Sequence, residues 1–173
     1  MQERDAALLR ELLTGRRVLA LALVADGEPV LGMVPFAAEP DLRAAFIHVS
    51  RLAPHGRVLA PGAPFAVLIQ GPDAPELNPG EIPRVRLSGR AEHLPRGSAG
   101  YPAARAAYLA RFPDSELTFA LADFELYRLP FDGGRLVAGV ARTVNLRPET
   151  LHRAARAGSE EGGSFRFTYR APR

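Results

Sequence analysis

The stretch that most constrains the fold of this chain is a pair of apolar runs separated by a two-residue turn. Residues 18–25 read VLALALVA and residues 28–38 read EPVLGMVPFAA, with Asp26-Gly27 between them. An Asp-Gly pair between apolar runs is a strong β-hairpin signal, because both residues tolerate the positive φ angles of a tight turn. Both faces of the first run are apolar, so we predict a strand that is buried on both sides.

Further short strands and helices follow along the chain. Helical patterns cover 2–13, 54–60, 101–112, 114–121 and 148–157, and strand patterns cover 44–50, 64–70, 84–94 and 164–170. A second hairpin is predicted over 124–141, turning at Asp132-Gly133-Gly134. Seven or eight strands, mostly in hairpins, favour a mainly-β antiparallel barrel with inserted helices over a parallel α/β sheet.

Length and composition predict one soluble domain. The 173 residues suit a single domain over 1–173, with 158–173 as a flexible tail that ends in a strand. The chain contains no cysteine, and its four histidines lack metal-ligand spacing, so we predict no disulfide and no metal site. No apolar run reaches the ~18 residues of a membrane span. Charged residues in the first helix argue against a signal peptide, so the expected location is cytoplasmic.

The charge pattern argues against a nucleic-acid partner. The formal net charge is only +3, and all 22 basic residues are arginine. The high pI of such a chain reflects the pKa of arginine rather than a dense positive field. Basic blocks and basic residues interleaved with aromatic ones, which single-strand binders use, are missing from the sequence.

The stretch Ser50–Arg57 is the strongest candidate for a binding site. A run that reads as a buried strand ends at Ser50, and the next seven residues, RLAPHGR, include three basic side chains. If Pro54 opens a helix, the amides of residues 55–57 lack intrahelical partners and, with the helix dipole, suit a phosphate. The alternative, which the pattern alone favours, is a surface turn with solvated cations.

Three segments carry a family resemblance. VLALALVADGEPVLGMVPFA, FIHVSRLAPHGRVL and RVRLSGRAEHL resemble the pyridoxamine 5'-phosphate oxidase-like, FMN-binding split-barrel family, and within it the haem-utilisation branch. The later run YLARFPDSELTFALADFELYRLPFDGGRLVAGVART is similar to the same branch. The resemblance covers roughly residues 8–147, and the serine-arginine-leucine-alanine-x-histidine run is its most specific element.

This resemblance implies a homodimer of split barrels with FMN at each subunit interface. It implies an oxidoreductase that exchanges electrons between the flavin and a small-molecule substrate or electron donor. The flavin performs the chemistry in such proteins, while the protein holds the ring and excludes water. No side chain in the sequence is an obvious general acid or base, so the catalytic residues stay unknown.

The resemblance also implies which residues hold the cofactor. The flavin phosphate is expected on Ser50, His55 and residues 56–57, and the ring along 32–34 and over Leu52. The full set is Gly32, Met33, Val34, Ser50, Arg51, Leu52, His55, Gly56, Arg57, Arg84 and Arg142. Of these, Arg84 is expected to reach the flavin from the partner subunit. For Met33, a place in the core is favoured over a contact with the flavin.

Two departures from the branch leave alternatives open. Gly32 stands where relatives carry serine or arginine, and Gly56 stands where they commonly carry threonine. The alternatives are a non-enzymatic dimeric module with a degenerate flavin site, or a binder of haem or F420 in the same cradle. Haem-degrading relatives use a C-terminal histidine as iron ligand, and no histidine follows His152 here. The sequence therefore places FMN ahead of haem and F420.

Overall fold

The computed structural model describes residues 1–157, which form five α-helices and nine strands. The helices are α1 Glu3–Gly15, α2 Pro54–Val58, α3 Tyr101–Arg111, α4 Glu116–Phe119 and α5 Pro148–Ala157. The strands are β1 Val18–Ala25, β2 Glu28–Ala38, β3 Ala44–Ser50, β4 Pro64–Gln70, β5 Arg84–Arg90, β6 Glu92–Leu94, β7 Phe124–Pro130, β8 Gly133–Gly139 and β9 Arg142–Leu146. The strand predicted over 164–170 lies outside the described residues.

All nine strands form one antiparallel sheet in the order β6-β7-β3-β2-β1-β4-β5-β8-β9. The sheet curls so far that β5 contacts β7, although four strands lie between them in this order. At this seam a Cβ on Gly89 would lie 2.0 Å from the carbonyl oxygen of Pro130. Only glycine permits so close an approach. The prediction of a mainly-β antiparallel split barrel with inserted helices is confirmed.

The inner face of the curled sheet is the main core, and helix α1 closes it. Leu9, Leu12 and Leu13 of α1 are fully buried among the inward side chains of the strands. Arg10 holds α5 against α1 by donating to the carbonyl oxygen of Ala154 at 2.5 Å. A second, smaller core forms where α3 covers the opposite face of β3 and β7. Within residues 1–157, no helix is long and apolar enough to cross a membrane.

The predicted hairpin at Asp132–Gly134 is wrong. Strand β7 pairs with β3 and β6, whereas β8 pairs with β5 and β9. The intervening residues carry the chain between the two halves of the sheet, since Phe131 donates to the carbonyl of Arg43 and Asp132 to that of Ser88. The hairpin in this region joins β8 to β9 instead. Ala141 lies in its turn with a φ of 56°.

The segment predicted as one strand over 84–94 is two strands with different partners. The break falls at Ala91, whose amide donates to the carbonyl of Ala63 at 2.9 Å. Before it, β5 lies between β4 and β8, and after it, β6 pairs with β7 at the edge of the sheet. The chain changes neighbours where the barrel is split.

Strand β1 is buried on one face only, so the prediction of burial on both faces is wrong. Its outward side chains lie beside those of β2 and β4. Five large apolar side chains of these three strands are exposed on this face, and they are here called the outer strip: Val18, Val24, Leu31, Met33 and Leu68, at 43%, 62%, 72%, 73% and 40% exposure. The interpretation of Met33 as a core residue is therefore wrong as well. Contiguous exposed apolar side chains of this kind mark interaction surfaces.

The buried His48 of β3 predicts a pH dependence of stability. Its ring is 5% exposed, stacks on Phe119 with the ring centroids 3.8 Å apart, and lies 3.2 Å from the hydroxyl of Thr118. Burial, assisted by the charge of Arg96, lowers its pKa from 6.5 to about 4. The unfolded chain therefore takes up this proton first as the pH falls.

We expect the free energy of unfolding to be constant above about pH 6.5 and to fall by roughly 2–3 kcal/mol as the pH decreases to 4. Urea titrations between pH 4 and 8 measure this slope. The variant His48→Phe should show a smaller pH slope. The control His152→Gln, at an exposed histidine, should show the slope of the wild type. An equal slope in wild type and His48→Phe would contradict the assignment.

Candidate functional site

The end of β3 and the helix α2 bring the predicted phosphate stretch together, and an acid joins it. Ser50 lies opposite Phe124 of β7, which places Asp123 beside it. The hydroxyl of Ser50 donates to Asp123 Oδ2 at 2.5 Å and accepts from the amide of Leu52 at 3.1 Å. A serine has a single hydroxyl proton. The proton of Ser50 is already donated to a carboxylate and is not available to a ligand anion.

Arg51, the first cation of the stretch, has a second acid as its partner. Its Nε lies 3.2 Å from Glu125 Oε1, and its Nη2 donates to the carbonyl of Ala122 at 3.1 Å. Glu125 also contacts His93 Nε2 at 3.1 Å and the hydroxyl of Tyr127 at 3.4 Å. Burial and the neighbouring Glu125 raise the pKa of Tyr127 to about 12. The donors on this side of the site are therefore engaged within the chain.

The two glycine departures have a structural reason. A Cβ on Gly32 would lie 2.4 Å from His55 Nδ1, so the imidazole fills the space that a side chain on β2 would take. A Cβ on Gly56 would lie 2.0 Å from the carbonyl oxygen of Ser50. Both glycines let α2 pack onto the end of the barrel, and burial there lowers the pKa of His55. Neither glycine opens a cradle for a ligand.

Few donors of the predicted cradle remain for an anion. The amide of Arg57 donates to the carbonyl of Ala53 at 3.0 Å, so the first turn offers the amides of His55 and Gly56. The side chain of Arg57 is exposed. Elsewhere in the stretch, the carboxylates of Asp123 and Glu125 already contact Ser50 and Arg51.

The remaining predicted site residues are divided between the surface and the core of the chain. Met33 and Leu52 are 73% and 68% exposed, whereas Val34 is 2% exposed in the core. Arg84 points to the outer face of β5, three strands from β2, and its Nη1 donates to the carbonyl of Ile82 at 3.0 Å. A flavin contact by Arg84 therefore needs a second subunit, and it stays a prediction.

Arg142 lies on β9 and holds a buried acid. Its Nε donates to Asp5 Oδ1 of α1 at 3.1 Å, and its Nη2 also contacts this oxygen. Asp5 is only 4% exposed, so the ion pair ties the last strand to the first helix. The predicted role of Arg142 in flavin binding is not tested by this contact.

The contact of Asp123 with Ser50 has little signal in the sequence. Asp123 stands 73 positions along the chain, and only the β3–β7 register brings it to Ser50. Its place directly before the strand β7 is the one local signal, because residues at strand ends commonly line sites in barrels.

Solved structures of other proteins share this fold. No family model and no curated protein matches the chain. The haem-binding protein of Mycobacterium smegmatis superposes with a TM-score of 0.73 at 27% identity, over 88% of this chain and 61% of that one. The chain thus spans about three fifths of the mycobacterial protein.

Two more distant structures show the fold alone. HutZ, the haem storage protein of Vibrio cholerae, has a TM-score of 0.65 at 23% identity, over 80% of this chain and 94% of that one. A Clostridium acetobutylicum protein of the pyridoxinephosphate oxidase family, related to general stress protein 26, has a TM-score of 0.64 at 9% identity, over 87% and 99%. This chain therefore has the split-barrel fold of the pyridoxamine 5'-phosphate oxidase-like proteins and resembles the haem-utilisation branch of that family.

Proposed function

We propose that this chain forms a homodimer that binds haem between its subunits, and that its flavin site is degenerate. The observation that carries the proposal is the hydrogen bond from Ser50 to Asp123. This bond engages the hydroxyl proton that an FMN phosphate would need, and it places the negative charge of Asp123 where the phosphate would lie. Like charges brought together in a partly buried site repel strongly.

The outer strip supports the subunit interface and the kind of ligand. Large apolar residues on β1, β2 and β4 are exposed there, and the small Ala20 lies between Met33 and Leu68 in the register. A second subunit and a flat apolar ring system would both remove this surface from water, at roughly 25 cal/mol per Å² of apolar area. When bound, haem would supply iron chemistry, and the strip would hold its macrocycle.

The structural neighbours point in the same direction. The mycobacterial haem-binding protein is 27% identical over 88% of this chain, and HutZ is a haem storage protein. FMN is the second candidate. The amides of His55 and Gly56, close to Ser50 in the chain, are donors that a phosphate could use. The two cofactors differ in the anion that they present, since FMN carries a phosphate and haem carries carboxylates.

Parallel titrations with haemin and FMN test the proposal. We expect haemin to saturate the protein in the micromolar range, followed by its Soret absorbance, and FMN to bind at least ten-fold more weakly, followed by flavin fluorescence. The chain has no tryptophan, which keeps the flavin signal clear. Tight FMN binding together with weak haemin binding would reverse the assignment.

Two exposed leucines provide a matched control for the outer strip. Leu31 on the strip and Leu117 on α4 are 72% and 80% exposed. Leu31→Glu should abolish dimerisation and haemin binding, because it sets a charge in the proposed interface. Leu117→Glu should preserve both. Light scattering after size-exclusion chromatography reports the subunit mass.

A further inference from the structure

Three arginines on the outer face of β5 and β8 form no ion pair with an acid among residues 1–157. Arg86 lies directly opposite Arg135 in the β5–β8 register, and both are exposed. Arg84 lies two positions before Arg86 on the same face. The register neighbours around the pair are neutral, namely Leu68, Gln70, Ser88, Gly133, Val137, Thr143 and Asn145.

This arrangement differs from that of the arginines that form ion pairs in the described part of the chain. Arg51, Arg105, Arg128 and Arg142 each contact a carboxylate. Among residues 1–157, the side chain of Arg135 has only a hydrogen bond to the hydroxyl of Thr143 at 3.1 Å. Like charges directly opposite each other across two strands destabilise a sheet. The repulsion between Arg86 and Arg135 is therefore not offset within the described residues.

The arginine pair continues the outer strip. The registers align Met33, Ala20, Leu68, Arg86 and Arg135 in one row across five strands. Neighbouring strands lie about 4.8 Å apart, so the row changes from apolar to cationic over roughly 10 Å. It matches a ligand that has an apolar body and carboxylates at one edge.

We infer that Arg86 and Arg135 bind the carboxylates of the ligand that lies on the outer strip, which for haem are its two propionates. This inference rests on the proposed function. The planar guanidinium group suits a carboxylate because it donates two parallel hydrogen bonds. A ligand anion would also remove the repulsion between the two cations.

Haemin and its dimethyl ester test the inference, because the ester has the same macrocycle without the charges. We expect the wild type to bind haemin at least ten-fold more tightly than the ester. Arg86→Gln and Arg135→Gln should each weaken haemin binding roughly ten-fold or more. The double variant should bind haemin and ester alike. Arg4→Gln, an exposed arginine on α1, is the control of equal charge change.

The ligand-free protein provides a second measurement. If Arg86 and Arg135 bind only a ligand, the repulsion between them destabilises the ligand-free protein. Removing either charge should then leave the dimer intact and keep the melting temperature at or above that of the wild type in low salt. A lower melting temperature or dissociated subunits would overturn the inference and assign the arginines to acids of the partner subunit. A double variant that still prefers haemin would also overturn it. Failure of the wild type to bind either compound would instead overturn the proposed function, and the inference with it.

Discussion

Gly56→Thr is expected to lower the free energy of unfolding by about 3 kcal/mol. Threonine is the residue that the resembled branch commonly carries at this position. Here a Cβ would lie 2.0 Å from the carbonyl oxygen of Ser50. The obstacle is backbone, so no side-chain rotation relieves the clash, and α2 must move away from the end of β3.

Urea denaturation followed by circular dichroism measures this effect. Gly100→Ala is the matched control, because a Cβ there would lie 3.6 Å from Leu94 Cδ2, an ordinary contact. The control should change stability by less than about 0.5 kcal/mol. If Gly56→Thr were as stable as the wild type, α2 would not lie against the Ser50 carbonyl.

Asp123→Asn is expected to tighten FMN binding roughly ten- to hundred-fold. The asparagine amide keeps an acceptor for the Ser50 hydroxyl, removes the negative charge and adds an N–H donor. The lost charge and the added donor both favour a phosphate in the stretch Ser50–Arg57. Haemin binding should not change, because the proposed haem surface lies on the outer strip.

Flavin fluorescence titrations of the wild type and the variant measure the ratio of the two dissociation constants. Asp26→Asn makes the same chemical change in the exposed β1–β2 turn and should leave FMN affinity unaltered. An unchanged FMN affinity in Asp123→Asn would show that Asp123 does not prevent phosphate binding. The degenerate-site interpretation would then lose its basis.

Much of the fold could be predicted because its signals are local. The predicted bounds 44–50, 64–70 and 148–157 agree with β3, β4 and α5. The Asp26-Gly27 turn joins β1 to β2 as expected, with positive φ at both residues. Apolar runs bounded by proline, glycine and aspartate carry this information without reference to the rest of the chain.

The errors concern partners that are distant in sequence. The glycines at 133–134 indicated a tight hairpin, but Gly134 is needed elsewhere, since a Cβ there would lie 2.1 Å from the carbonyl oxygen of Arg86 on β5. The apolar outer face of β1 indicated burial that the single chain does not provide. A second subunit accounts for both the pattern and the exposure, which is why we propose one.

Only the part of the candidate site that is contiguous in sequence could be predicted. The run from Ser50 to Arg57 is contiguous, so its strand-helix context could be read directly. The acid that changes its chemistry comes from β7, and the reason for Gly32 is the ring of His55 on α2. Residue patterns identify the donors of such a site, but the contacts that satisfy them are tertiary.

Native mass spectrometry of the protein mixed with equal amounts of haemin and FMN tests the central claim most directly. It reports the number of chains and the bound cofactor in one spectrum. We predict a species of two chains that carries haem and no FMN. A dimer that carries FMN, or a single chain that binds haemin, would contradict the account.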